Sequence, residues 1–401
     1  MTGKLVTARE DIKQLYSDTF SFRLRERPIK PGYEEIQDLT ENLCNARLEI
    51  TDNIKTVDWT MAELEKVLGK LKKNKARDPN GLANEVFMKN SAGKDLKRAL
   101  LKMMNKIKET KIIPEFATIK NITAIPKKGA KTDLEAERGI VIGSVFNTIL
   151  TNLIYENKYE VIDENMSDGQ SGARKNRSTR NNNFVLNACL NEAVQKKNNV
   201  DLIVLDVKQA FDSLFLADVC IDLYDSGVQD EHLNIIHKAD SKSQVAVNTP
   251  CGITERQTVE NSVLQGECLG PLKCANSVDK ISKTCLEENE NVHYYQDSVP
   301  VPPLALIDDI IAISKCGNKS AKINGFLNAQ VNSKKLQLGV KKCHKIHVGK
   351  NHSICPDLQI DNWNLKPSTL PRSGSPAAGP GSEAGLYQGL VSPQSGIWSI
   401  L

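Results

Sequence analysis

Residues 200–213 read Val-Asp-Leu-Ile-Val-Leu-Asp-Val-Lys-Gln-Ala-Phe-Asp-Ser, and no other stretch limits the possible folds so strongly. Four apolar residues, Leu202 to Leu205, run straight into Asp206, and a second acid, Asp212, follows six positions later. A short aliphatic run of this kind predicts a buried strand. A carboxylate at the end of such a strand is costly unless it is paired, hydrogen-bonded or metal-bound. The pattern returns at 304–313, Leu-Ala-Leu-Ile-Asp-Asp-Ile-Ile-Ala-Ile, where Asp308 and Asp309 interrupt an apolar run. Two adjacent carboxylates there do nothing for packing. They suit a hard divalent cation, because Mg²⁺ selects carboxylate and water oxygens. Taken singly, the first stretch also reads as a helix N-cap and the second as a turn. Their coincidence favours the cation.

The remaining composition narrows the class without naming a function. A chain of 401 residues, 40% hydrophobic and 25% charged, is globular and long enough for one large or two to three ordinary domains. The net charge of +4 is too small to argue for a polyanionic partner, but its distribution does. Residues 66–77 carry Lys66, Lys70, Lys72, Lys73, Lys75 and Arg77 with no acid, and 334–350 carry six lysines with none. Such stretches fit phosphate backbones or a solvated helix face. The N-terminus lacks the apolar segment of a signal peptide, and no run reaches the roughly 18 apolar residues that span a membrane. Ten cysteines without a Cys-x-x-Cys pair then predict reduced thiols, in the cytosol or nucleus. Cys343, His347, His352 and Cys355 lie close together but match no standard zinc spacing.

Along the chain, 1–54 predicts a charged, helical lead-in broken near Pro28 and Pro31. Thr60 with Glu63 has the form of a capping box before the amphipathic helix from Met61. A basic helix over about 94–111 follows, then a strand over 119–126 with its turn at Lys127-Lys-Gly. Mixed strand and helix signals occupy 139–161, a polar loop 166–182, and a helix 183–197. Helices and strands do not alternate strictly, which predicts an α+β fold. From about residue 366 the chain turns to Pro, Ser and Gly, and the segment 356–401 reads as a low-complexity, disordered tail.

The order of motifs resembles reverse transcriptases, most closely those of non-LTR (LINE-type) retrotransposons, over roughly 55–355. Lys75-Ala-Arg-Asp-Pro-Asn-Gly81 is similar to that family's early turn, and Ile125-Pro-Lys-Lys-Gly with Glu137-Arg-Gly-Ile140 to its fingers segment. Gln170-Ser-Gly-Ala-Arg-Lys-Asn-Arg-Ser-Thr179 resembles the template-contacting stretch. Leu205 to Asp212 resembles the first metal-binding motif, and Gln265-Gly266 with Gly270-Pro271 the motif beneath the template base. Leu306-Ile-Asp-Asp309 resembles the aromatic-x-Asp-Asp hairpin, and Gly339-Val-Lys-Lys-Cys343 falls at the palm's later lysine strand.

The resemblance implies a right-hand polymerase fold, with fingers about 55–197, palm about 198–355, and a thumb missing or truncated. It implies an RNA-directed DNA polymerase acting on an RNA template, a DNA primer and dNTPs through two Mg²⁺ ions, with Mn²⁺ able to substitute. Asp206, Asp308 and Asp309 would be catalytic and, with the Val207 carbonyl, hold the metals. Lys127, Lys128, Arg138, Phe211, Gln265, Gly266 and Lys342 would bind the incoming nucleotide, Phe211 as a steric gate at its 2′-position. Arg174 and Arg177 would touch the template. Several positions depart from the family's pattern: Arg77, Asp78 and Asn80 in the early turn, Ala173 and Leu306 where aromatics are usual, and Gly270 for a serine. No thumb motif is recognisable after 350, no endonuclease pattern before 55 and no RNase H-like pattern at the end, so the expectation is a fragment of an element whose motifs have drifted. The alternatives are a decayed or domesticated copy that only binds nucleic acid, and an unrelated Mg²⁺-dependent phosphotransferase or nuclease. The last would have no use for Phe211 and Gln265.

Overall fold

The computed structural model describes residues 7–24, 31–126, 137–260, 263–288, 293–296, 299–315 and 317–348, with short strands at 358–360, 363–365 and 368–369. In chain order the first elements are α1 (Arg9–Leu24), α2 (Glu34–Asp52), α3 (Met61–Leu68), α4 (Asn84–Phe87), α5 (Lys94–Thr110) and α6 (Glu115–Thr118). Then come β1 (Ile119–Pro126), β2 (Glu137–Gly143), α7 (Val145–Glu164), α8 (Thr179–Gln195) and β3 (Val200–Asp206). α9 (Ala210–Ser213), α10 (Leu216–Asp225), α11 (Glu231–Ser241), β4 (Gln244–Thr249), β5 (Gly252–Ile253), β6 (Gln257–Thr258) and α12 (Gly270–Glu288) follow. The last are β7 (Tyr295–Gln296), β8 (Val299–Pro300), β9 (Leu304–Leu306), β10 (Asp309–Lys315), α13 (Asn318–Ser333), β11 (His344–Val348), β12 (Leu358–Ile360), β13 (Trp363–Leu365) and β14 (Ser368–Thr369). They fall into two compact units, residues 1–165 with 209–274, and 166–208 with 275–401.

In the first unit, β1 pairs antiparallel with β2 and parallel with β4, which carries β5 and β6. α1 lays Phe20 and Leu24 on this sheet, against Ile122, Val141, Val245, Val247, Val259 and Leu264. Burying each such side chain contributes roughly 1.5–3 kcal/mol. The capping box starts α3 as expected: Thr60 Oγ1 accepts from the Glu63 amide, and Glu63 Oε2 accepts from the Thr60 amide at 2.8 Å. The early turn has a structural use. Asp78 is buried, and its carboxylate accepts from the amides of Asn80, Leu82 and Val145, closing the turn and tying it to the start of α7.

The second unit is built on a sheet of order β14-β11-β3-β10-β9. β3 runs antiparallel to both β10 and β11. Leu186, Cys189, Leu190 and Ala193 of α8 pack with Val200, Leu202, Ile313, Ile346 and Val348 of the sheet. Flanked on both edges and covered on its face, β3 is apolar nearly throughout, which is why a plain aliphatic run sufficed to mark it. One charge is buried in it. Asp201 accepts from His347 Nδ1 at 2.9 Å and faces Lys345 Nζ at 3.3 Å.

Three boundaries differ from the sequence expectation. The lead-in 1–54 belongs to the first unit's core, because α1 covers the sheet and α2 packs against α10 and α11. Residues 166–197, expected with the fingers, group with β3, since the apolar face of α8 is buried there. The tail also begins later than 356. β12 pairs with β13, and β14 joins β11 in parallel. Leu-Gln-Ile and Trp-Asn-Leu alternate apolar and polar residues, the period of a strand. Residues 370–401 lie outside the described residues.

Candidate active site

The register of β3 against β10 sets Asp206 directly opposite Asp309. Directly opposed residues of an antiparallel pair hold their Cβ atoms about 4.5–5.5 Å apart, so two like charges here repel. Asp308 occupies the two-residue turn between β9 and β10, beside Ile307, whose φ is +59°. A β-branched residue in the left-handed region is strained and must be held by its surroundings. Gln170 does the holding. Fully buried, it accepts from Ile307 N at 2.9 Å and donates to Ile307 O at 3.1 Å and to Ala275 O at 3.2 Å. Its own backbone bridges Ala305 of β9. Gln170 is thus a positioning residue for the Asp308–Asp309 turn.

The other side of Asp206 is closed by the segment after α13. Gly339 N donates to Asp206 O at 2.8 Å, and Lys208 N to Gln337 O at 2.7 Å, which flank Val207 opposite Leu338. A Cβ at Gly339 would lie 2.5 Å from Asp206 Oδ2, so only glycine lets the segment approach the carboxylate. Lys342 donates to Asp206 Oδ1 at 2.8 Å, while its side chain stays 63% exposed.

The electrostatics are those of a site short of positive charge. Burial, then the neighbouring Asp308 and Asp206, push the Asp309 carboxyl up to about 7, against a weaker opposing pull from Lys342. Among the described residues these three carboxylates are not a group whose oxygens all lie within 4.8 Å of one another. An oxygen-only donor set with excess negative charge fits a hard divalent cation.

Of the expected nucleotide-binding residues that the structure describes, all but Lys342 lie in the first unit. Arg138 is exposed on β2, opposite Ile125. Phe211, on α9, is half-buried, and its carbonyl accepts from Val263 N at 2.9 Å. Gln265 O accepts from Val141 N of β2 at 2.8 Å. Gly266, at φ +117°, brings its backbone so close that a Cβ would meet Val141 O at 2.4 Å. Glu267 anchors this loop through Lys120 and Asn147. Burial would raise its carboxyl, but Lys120 and Lys273 outweigh that and hold it below the usual range. Lys273 in turn donates to both oxygens of Asp240 at 2.8 Å. Lys127 and Lys128 lie outside the described residues.

The two template arginines of the second unit part company. Arg174 is buried and donates to Ser167 O at 2.6 Å and Gln170 O at 3.1 Å, so it holds the loop that carries Gln170. Arg177 donates to the exposed Asp168 carboxylate at 2.6 Å and borders an open cavity of ≈ 340 Å³ with Arg180, Asn181 and Phe184. His347 is engaged by Asp201, and His352 and Cys355 lie outside the described residues. Sequence reasoning missed Gln170 and Gly339 as site-building residues, since neither the turn strain nor the close approach leaves a local signal. Lys120 did leave one, as a lone charge in an otherwise apolar and neutral strand.

A sheet that sets an aspartate opposite an Asp-Asp turn defines a class. The chain belongs to the reverse transcriptase (RNA-dependent DNA polymerase) family, whose model matches residues 125–371, more than half of its length. Membership carries the palm-and-fingers polymerase fold, with which the mixed helices and sheets agree. More particularly, the chain is similar to the Retrovirus-related Pol polyprotein from type-1 retrotransposable element R2 of Popillia japonica. The two are 22% identical over 259 residues, which is 62% of this chain and 36% of that protein. The chain spans about a third of that relative's length, and the match bears out the resemblance to non-LTR retrotransposon reverse transcriptases. Among the described residues no helix is long and apolar enough to cross a membrane.

Proposed function

We propose that this domain is an RNA-directed DNA polymerase that extends a primer 3′-hydroxyl with dNTPs by two-metal phosphoryl transfer. The observation that carries the proposal is the crowding of Asp206, Asp308 and Asp309, which pushes Asp309 up to about 7. Phosphoryl transfer asks for positioning and charge neutralisation rather than covalent chemistry. When bound, two Mg²⁺ or Mn²⁺ ions would activate the primer hydroxyl and steady the leaving pyrophosphate. Asp206, Asp308 and Asp309 would hold them, with the Val207 carbonyl as a further oxygen donor. Lys342 would exchange Asp206 for the incoming phosphates. Arg138, through its planar fork, and Lys127 and Lys128 would clamp the β- and γ-phosphates. Phe211 would exclude a ribose 2′-hydroxyl by steric contact, Gln265 and Gly266 would lie beneath the template base, and Arg177 would contact the template backbone. The partners are then an RNA template, a DNA primer and dNTPs, in the cytosol or nucleus.

A second reading, a decayed copy that only binds nucleic acid, is favoured by one observation: Leu306 stands buried where the family's hairpin carries an aromatic. Primer extension on an oligo(dT)-primed RNA template separates the two. The wild-type chain extends the primer with Mg²⁺ or Mn²⁺, and Asp308→Ala and Asp206→Asn fall to background. Extension undiminished in Asp308→Ala would sink the metal assignment. RNA binding by the wild type without any extension supports the decayed copy.

A further inference from the structure

In the first unit α2, α10 and α11 pack on one another. Where they meet stand Cys44, Cys220 and His237, with one ligand atom of each within 4.8 Å of the other two. We propose that these residues form a binding site for a borderline-soft divalent ion, Zn²⁺ before others, that ties α2 to the α10–α11 pair. Nothing in the polymerase reading uses it.

The donor set is the first argument. Two sulfurs and an imidazole nitrogen suit Zn²⁺ and poorly suit Mg²⁺. The spacing is the second. Tetrahedral Zn–S and Zn–N bonds of about 2.3 and 2.0–2.1 Å set ligand atoms roughly 3.5–3.8 Å apart, so a contraction of at most about 1.3 Å completes the set. Burial is the third. Cys44 and Cys220 are 2% and 3% exposed, and a Zn²⁺ with two thiolates is neutral, which a buried site tolerates. His237 adds a specific want, because its Nδ1 is buried without a hydrogen-bond partner. Unpaired buried polar atoms are uncommon and call for a ligand. Beside Cys220 and His237 lies a cavity of ≈ 10 Å³, lined also by Asp240 and aliphatic side chains, about enough for one water as fourth ligand. Asp240 is not that ligand, since Lys273 holds both of its oxygens. Cys44 and Cys220 are 176 positions apart, so no sequence motif announces the site.

The test uses the full chain, stripped with chelator and then titrated with Zn²⁺ against a competing indicator in excess Mg²⁺, so that carboxylate sites are masked. One Zn²⁺ per chain is expected, with Co²⁺ giving a thiolate charge-transfer band in its place. Cys44→Ser, Cys220→Ser and His237→Gln should each weaken binding by roughly 100-fold or more, since losing even a residue that only orients a metal ligand costs about 10–100-fold. His237 is partly exposed, so its variant keeps the test open if a cysteine variant misfolds. Zn²⁺ should also raise the thermal midpoint of the wild type and not of His237→Gln. The proposal is overturned if the wild type binds no Zn²⁺ under these conditions. Zn²⁺ bound equally by wild type and all three variants, or a Cys44–Cys220 disulfide in the purified chain by non-reducing mass spectrometry, overturns it equally.

Discussion

Asp309 makes the electrostatic argument quantitative. Its carboxyl titrates at 3.8 when unperturbed and at about 7 in the fold. At about 1.36 kcal/mol per pH unit that gap amounts to about 4 kcal/mol, reduced to about half where water reaches the site. The sign runs against the usual aspartate. Between 3.8 and about 7 the folded state binds the proton that the unfolded state has lost, so stability falls as pH rises through this window. Below it Asp309 costs nothing, and above it the full penalty applies. Asp309→Asn removes the penalty and leaves the shape. The variant should match the wild type at about pH 4 and exceed it by about 2–4 kcal/mol at about pH 8. At roughly 2–4 °C per kcal/mol, the thermal midpoints separate by several degrees. Mg²⁺ should restore the wild type at the higher pH and do little for the variant, because the ion replaces the proton. Scanning calorimetry or dye-monitored melting across the window, with and without Mg²⁺, measures both effects. Parallel pH profiles for the two proteins would refute the reasoning.

Three further outcomes follow from the same geometry. Gly266→Ala places a methyl 2.4 Å from Val141 O at a φ of +117°, and should destabilise the first unit by about 2–4 kcal/mol in urea melts. Gln170→Leu leaves the Ile307 amide and carbonyl without their partner, so it should cost about 1–3 kcal/mol and lower primer extension at least about tenfold, while Mg²⁺-independent RNA binding stays within about twofold. Phe211→Val should raise ribonucleotide incorporation relative to dNTPs, measured by single-nucleotide extension. An unchanged ratio in a folded variant would show Phe211 to be packing rather than a gate.

The sequence by itself marked the acidic residues and the strands that carry them. Leu202 to Leu205 before Asp206, and Asp308–Asp309 inside an apolar run, were legible because a charge in a buried strand is costly and so stands out. The capping box at Thr60 and the extents of α5 and β1 were legible for a similar reason, since they rest on neighbours within four residues. Tertiary structure decided what depends on distant partners. That α1 completes a sheet core and that α8 belongs with β3 are matters of which apolar face meets which. The same holds for the site's supports: Gln170 and Ile307 are 137 positions apart, and Gly339 and Asp206 133. A periodicity records that a face is buried, whereas only the folded chain records what lies against it, and there the strain at Ile307 and the charge on Asp309 are set.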